Sequence, residues 1–133
     1  LEEMARNAYQ VNQEAVTGDE NETDIRLIST AVPLEAVIEL KIGENSYSFS
    51  DLKKALHTQL VGKYMAPENR RVGCLLISIA SNKRWEHPDN HALIEFEEVV
   101  ANLDAEAKRL KADLGYGAFL TVRGLDLRPR KIG

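Results

Sequence analysis

An α/β fold, a mixed β-sheet flanked by helices, is predicted by three features of this sequence. Gly73-Cys74-Leu75-Leu76-Ile77-Ser78-Ile79-Ala80 is an almost unbroken apolar run, as in a central strand covered on both faces. Two segments of β character, 23–31 and 34–42, are separated only by Val32-Pro33, close enough for an antiparallel hairpin. Two further stretches carry apolar residues at helical spacing: Leu52, Leu56, Leu60 and Tyr64 in one, and Phe96, Val99, Val100, Leu103, Ala107, Leu110 and Leu114 in the other. Strands interleaved with amphipathic helices bury both by packing helix on sheet.

Taken in order, the chain opens as a helix. Met4, Ala8, Val11 and Ala15 recur at helical spacing among Glu2, Glu3, Arg6, Asn7 and Gln10, fading near Val16. A chain that starts at Leu1 inside an amphipathic helix is expected to be a piece of a longer protein, one domain over 1–133 with other domains beyond it. Thr17-Gly18-Asp19-Glu20-Asn21-Glu22 is a polar, glycine-bearing turn. After the two β segments, Gly43-Glu44-Asn45 ends the second. Ser48 and Asp51 then have the spacing of a capping box ahead of a helix over 51–65. Residues 67–71 are loop, 73–80 a strand and 81–90 a polar loop containing Lys83, Arg84, Trp85 and His87. A long helix over 93–114 stops at Gly115-Tyr116-Gly117, and a last strand, 118–127, ends before Pro129. The order is α-β-β-α-β-α-β, with two strands ahead of the second helix.

Length and composition narrow the function classes. The 133 residues suit one domain, and 44% hydrophobic with 29% charged residues is a globular composition. No apolar run approaches the roughly 20 residues of a membrane span and no signal-peptide pattern opens the chain, so no membrane partner is expected. A single cysteine, Cys74, excludes an intrachain disulfide and a cysteine-built zinc site and points to a cytoplasmic setting. Cys74 itself reads as core. His87 and His91 are four apart, with no third His or Cys nearby to complete a zinc site. With 17 Lys+Arg against 21 Asp+Glu, the net charge is −4. Nucleic acid would therefore have to be held by a local patch, helped by metal ions, rather than by bulk charge.

One strand carries charges where apolar residues belong. In Ala36-Val37-Ile38-Glu39-Leu40-Lys41-Ile42, alternation puts Glu39 and Lys41 on one face, about 6 to 7 Å apart, and Ile38, Leu40 and Ile42 on the other, toward the core. Alone, such a pair reads as a solvated sheet face. Two neighbours change that: a hairpin brings Asp24 beside Glu39, and the next helix carries Gln59 and Lys63 beside Leu56 and Leu60, a stripe that lines either a core rim or a cleft.

Asp24 at the head of one strand, Glu39-Leu40-Lys41 in the next and a following helix with Gln59 and Tyr64 resemble the PD-(D/E)xK nuclease superfamily, which includes many restriction endonucleases and the RecB-like exonucleases. The resemblance spans roughly residues 1–80. Thr23 stands where the family name has proline, Gln59 and Tyr64 are five apart where RecB-like members have four, and the family core has three strands ahead of the helix where this reading finds two. The resemblance implies a restriction-endonuclease-like sheet and hydrolysis of phosphodiesters, DNA first, with Mg²⁺ or Mn²⁺. It also implies an effector module of a bacterial restriction or anti-phage defence protein. Asp24 and Glu39 would be the metal carboxylates, the Leu40 carbonyl a further oxygen ligand, and Glu14 from the first helix, with Gln10 as substitute, an additional one. Lys41 would orient the attacking water or stabilise the transition state, and Gln59 would contact a metal-bound water or the phosphate.

Basic residues supply a candidate nucleic-acid surface. Lys53, Lys54, His57 and Lys63, then Arg70 and Arg71, could track a phosphate backbone; Lys83 and Arg84 flank Trp85, which could stack a base or pack as a lid on the core. A homodimer is left open. Two rival readings remain: a catalytically inactive nuclease-like domain for nucleic-acid binding or assembly, and an α/β interaction domain with Glu39 and Lys41 as a surface pair.

Overall fold

The computed structural model describes residues 9–15, 22–29, 35–65, 70–115 and 117–130. Strands β1 (Tyr9–Ala15), β2 (Glu22–Ser29) and β3 (Glu35–Ile42) form an antiparallel meander. Helix α1 (Phe49–Lys54) continues as a π-helix, π1 (Ala55–Tyr64), and leads to β4 (Arg70–Ile79), which lies parallel to β3. A two-stranded ribbon of β5 (Trp85–Glu86) and β6 (Leu93–Ile94) precedes α2 (Phe96–Leu114), and β7 (Phe119–Asp126) returns parallel to β4. The sheet order is β1-β2-β3-β4-β7, a mixed α/β architecture as expected.

The opening helix is corrected over its described part. Tyr9–Ala15 is a strand paired with β2 along its whole length; residues 1–8 and Val16 lie outside the described residues. Tyr9, Val11, Gln13 and Ala15 alternate with Gln10, Asn12 and Glu14, and Tyr and Val favour strands, so cross-strand pairing prevails over a four-residue spacing that depended on Met4 and Ala8. Among the described residues three strands, not two, therefore precede the helix.

The Ser48–Asp51 capping box is formed. The Ser48 hydroxyl accepts from the Asp51 amide at 3.0 Å and the Asp51 carboxylate from the Ser48 amide at 2.9 Å; these bonds hold the Asp51 carboxyl below its ordinary value. Leu52, Leu56 and Leu60 are fully buried, each removal from water contributing about 1.5–3 kcal/mol. From Ala55 onward the backbone widens into a ten-residue π-helix, closed by the Met65 amide donating to the Leu60 carbonyl at 2.9 Å. Such stretches are rare and often sit at functional sites. The second helix starts at Phe96, because Leu93–Ile94 pairs with Trp85–Glu86 in the ribbon. It buries Phe96, Val99, Leu103 and Ala107 and ends at Gly115, whose φ of 88° suits glycine.

The described helices pack on one face of the sheet. Val37, Glu39 and Lys41 in β3 stand beside Gly73, Leu75 and Ile77 in β4, and these beside Leu120, Val122 and Gly124 in β7. On this face a Cβ at Gly73 would meet the Met65 sulfur and one at Gly124 the Phe96 ring, so π1 and α2 lie directly on the sheet. Two expectations are reversed as a result. Glu39 and Lys41 are on the covered face, while Ile38, Leu40 and Ile42 are only half-buried. β4 is internal in strand order, yet Leu75, Ile77 and Ile79 are fully buried, Cys74 and Leu76 half-buried and Val72 exposed. Among the described residues, no helix is long and apolar enough to cross a membrane.

Candidate active site

β3 carries the pair that organises the site. The Lys41 ammonium lies 3.1 Å from a Glu39 carboxylate oxygen, and both side chains are essentially sealed, 1% and 2% exposed. Charges are left inside a protein only when paired and hydrogen-bonded, and their retention is weak as a stability device because desolvation offsets most of the attraction. The Tyr47 ring sits over Lys41, its centroid 5.2 Å from the ammonium, a cation–π contact. Together Lys41, Ser46, Tyr47, Asp51, Lys54, Ala55, Thr58 and Gln59 line a cleft of about 410 Å³. The cleft runs between the end of β3, the loop after it and the inner side of α1 and π1. Gln59 contributes a side-chain carbonyl oxygen that is buried without a hydrogen-bond partner. It is an acceptor held ready in a polar cleft, and an unpartnered buried acceptor costs about 1–3 kcal/mol.

Backbone register brings the other acidic positions opposite the members of this pair or onto the Glu39 rung. Asp24 in β2 is paired with Glu39 in β3, Glu14 in β1 is paired with Asp24, and Glu22 is paired with Lys41. Directly opposed residues are the closest cross-strand neighbours in an antiparallel ladder. Glu14 thus arrives from a strand rather than from a helix, and Gln10 is paired with Ile28, four positions along β1. Leu40 lies between Thr23 of β2 and Leu76 of β4. Among the described residues no three His, Cys, Asp or Glu side chains converge as a metal cluster.

The donor chemistry fits a hard divalent ion. Glu39 with the Asp24 and Glu14 positions of its rung and the Leu40 carbonyl are oxygen donors of the kind Mg²⁺ takes, and the orphaned Gln59 oxygen suits a hydrogen bond from bound water. π1 also bears on the Gln59–Tyr64 spacing. Its backbone bonds residue i to i+5, so two positions five apart, which an α-helix would offset, lie one turn apart here.

Lys53 and Lys54 are exposed on α1; with Ser50 and His57 they line a shallow pocket of about 320 Å³ beside the cleft. His57 itself bridges to α2, its Nε2 2.8 Å from Glu106. Arg84 is exposed and pairs with Glu95 at 3.3 Å. Lys63 and Arg70 belong to π1 and β4, but their side chains lie outside the described residues. Arg71 donates to the Leu114 carbonyl at 3.3 Å, satisfying the C-terminus of α2.

Two assignments to the nucleic-acid surface are corrected. Trp85 is 2% exposed and packs with Phe96 at 6.2 Å between ring centroids, its indole N–H donating to the Tyr47 carbonyl at 3.1 Å. It is the lid on the core, with no open face for a base. Lys83 donates to the carbonyls of Gly43, Asn45 and Tyr47 at 2.7, 2.6 and 3.2 Å, so all three of its N–H bonds are spent inside the protein. Burial pushes its ammonium pKa down, against the opposing influence of Glu44.

Sequence reasoning missed Tyr47. The signal was present, because Tyr47 directly precedes the N-cap Ser48 and Leu52 is the fourth helical residue, the spacing of a hydrophobic staple; Tyr47 does pack against the core that contains Leu52. No protein-family model, curated protein or solved structure matches the chain.

Proposed function

We propose that this chain is a Mg²⁺- or Mn²⁺-dependent nuclease domain with a restriction-endonuclease-like arrangement, cleaving phosphodiester bonds, in DNA first. The observation that carries this reading is the sealed Glu39–Lys41 pair: Lys41 lines a polar cleft, and Glu39 stands on the strand rung that includes Asp24 and Glu14. A neutral apolar pair would pack there at no electrostatic cost, so the charges point to chemistry. The three strands ahead of the capped helix among the described residues equal the count in the PD-(D/E)xK core, which supports the same reading. A bound divalent ion would lower the pKa of its water and neutralise phosphate charge. Glu39, Asp24, Glu14 and the Leu40 carbonyl are the groups to hold it. Lys41 orients the attacking water or stabilises charge on the phosphate oxygens, and Gln59 accepts from water in the cleft. Lys53, outside the cleft, and Lys54, in its lining, steer the backbone of the nucleic acid. An effector role in bacterial restriction or anti-phage defence, in the cytoplasm and alongside further domains, suits such a module.

The deciding experiment is cleavage of plasmid and linear DNA with Mg²⁺ or Mn²⁺, wild type beside Asp24→Asn and Lys41→Met. Metal-dependent cutting by the wild type, reduced at least about 10²-fold by either substitution, is the expected result; cutting that survives both removes the assignment. The near-complete burial of Glu39 and Lys41 favours a second reading, a silent nuclease-like domain in which the pair satisfies itself. Mn²⁺ binding by calorimetry without cleavage would select it.

A further inference from the structure

The loop between β3 and α1 is held by a double clasp. The Lys83 ammonium gathers the carbonyls of Gly43, Asn45 and Tyr47. In the opposite direction a Glu44 carboxylate oxygen accepts from the Ala80 amide at 3.0 Å, the Ser81 amide at 3.1 Å and the Ser81 hydroxyl at 2.7 Å. Burial raises the Glu44 carboxyl, but the bonds from Ser81 and Ala80 outweigh it and hold the group below its ordinary value. Three carbonyl dipoles pointing at one spot repel one another unless a cation stands there, and an ammonium offers one N–H to each. Lys83 also lies 4.9 Å from the Trp85 ring centroid, and Trp85 donates to the same Tyr47 carbonyl. The Tyr47 backbone is therefore fixed by two donors, Lys83 from the loop after β4 and Trp85 from β5, and its ring projects over Lys41.

We propose that Lys83 is the positioning residue of the cleft: by tying the 43–47 strap it holds the Tyr47 ring over Lys41 and so keeps the Lys41 ammonium beside Glu39. Its catalytic consequence rests on the nuclease reading above. Lys83 touches none of the reacting groups and works through Tyr47. With the strap loosened, Lys41 loses the ring that confines it, and a displacement of about 1 Å at a catalytic group is enough to cost about 10²-fold in rate.

The test reads the strap and the activity separately. In nuclear magnetic resonance spectra of wild type, the Lys41 ε-CH₂ protons are expected to be shifted upfield by the ring current of Tyr47, and Tyr47→Leu to identify them by abolishing the shift. Lys83→Met is expected to move this resonance most of the way to its Tyr47→Leu position while the Leu75 and Val122 methyl resonances stay in place. If Lys83→Met does not fold, Lys83→Gln, neutral with two N–H donors, carries the same comparison. In Mn²⁺-dependent cleavage, kcat is expected to fall at least about tenfold with little change in KM for DNA. A folded variant whose Lys41 resonance does not move overturns the proposal, and a moved resonance with unchanged kcat overturns the catalytic role. A wild type that never cuts overturns the underlying reading instead, and the resonance alone then decides whether Lys83 orders the strap.

Discussion

Glu39 and Lys41 occupy positions that Val37, Leu75 and Ile77 show to be core, on the face that both helices cover. Removing one partner of such a pair takes away its closest counter-charge in a sealed environment and costs about 3–5 kcal/mol, whereas replacing both with apolar residues of similar volume is neutral or stabilising. Glu39→Leu alone and Lys41→Met alone are therefore expected to lower unfolding free energy by about 3–5 kcal/mol, and the double variant to return it to at least the wild-type value. Urea denaturation of the four proteins checks this. A double variant as unstable as the singles would show that the pair serves the fold, not the cleft. Both residues stand out in the sequence as charges within an apolar strand. What the strand pattern does not contain is which face the helices cover, since alternation separates two sets of side chains without saying which set meets a neighbour. Trp85 shows the same gap. Its polar neighbours suggest exposure, but its burial comes from Phe96 and Tyr47, distant in the chain.

At the scale of elements, the approach of the β3 end to the β4 end depends on Gly43. Its amide donates to the Ser78 carbonyl at 2.8 Å, and a Cβ at this position would stand 2.5 Å from that oxygen. Gly43→Ala must push the strap away from β4, with an expected loss of about 1–3 kcal/mol, measured by thermal or urea unfolding. An unchanged midpoint would mean that the loop yields without cost. The capping box and the leucine stripe of α1 and π1 were legible because they are local: a side chain and an amide three residues away, or apolar groups on one side of one helix. The π-helical backbone was not, because leucines at steps of four suit an α-helix equally well. β1 was misread for a related reason. Its seven residues carry both a weak alternation and a weak four-residue spacing, and pairing with β2 decides between them.

Over the described residues, several carboxylates are held below their ordinary values. Asp126, bound by Arg128, is lowered to about 2. Glu97, by its own backbone bond and by Arg128, is also below its ordinary value. Glu106, bonded first by Arg109 and then by His57, follows the same direction. In Asp104 burial acts upward, but the Val122 amide, the Thr121 hydroxyl and Arg123 bring it down. A carboxyl whose folded pKa is depressed binds fewer protons folded than unfolded near that pKa. Its contribution is therefore present above the unfolded value of about 4 and is lost as pH falls toward the folded one. The melting temperature is expected to hold from neutral pH to about pH 5 and to fall between about pH 4 and pH 2. Melting curves across that range check the direction; a midpoint that rises on acidification would contradict it.

The sequence by itself determined the mixed α/β class, the hairpin of β2 and β3, the capped helix and the candidate residues Asp24, Glu39, Lys41 and Gln59, because periodicity, caps and misplaced charges are properties of neighbouring residues. Tertiary structure alone decided that β1 is a strand, that the Glu39–Lys41 face is covered, that Lys83 and Trp85 turn inward and that Tyr47 closes over Lys41. Those outcomes depend on which surfaces meet after residues tens of positions apart are packed together, and burial and pairing energies at such contacts exceed the local preferences that a sequence displays.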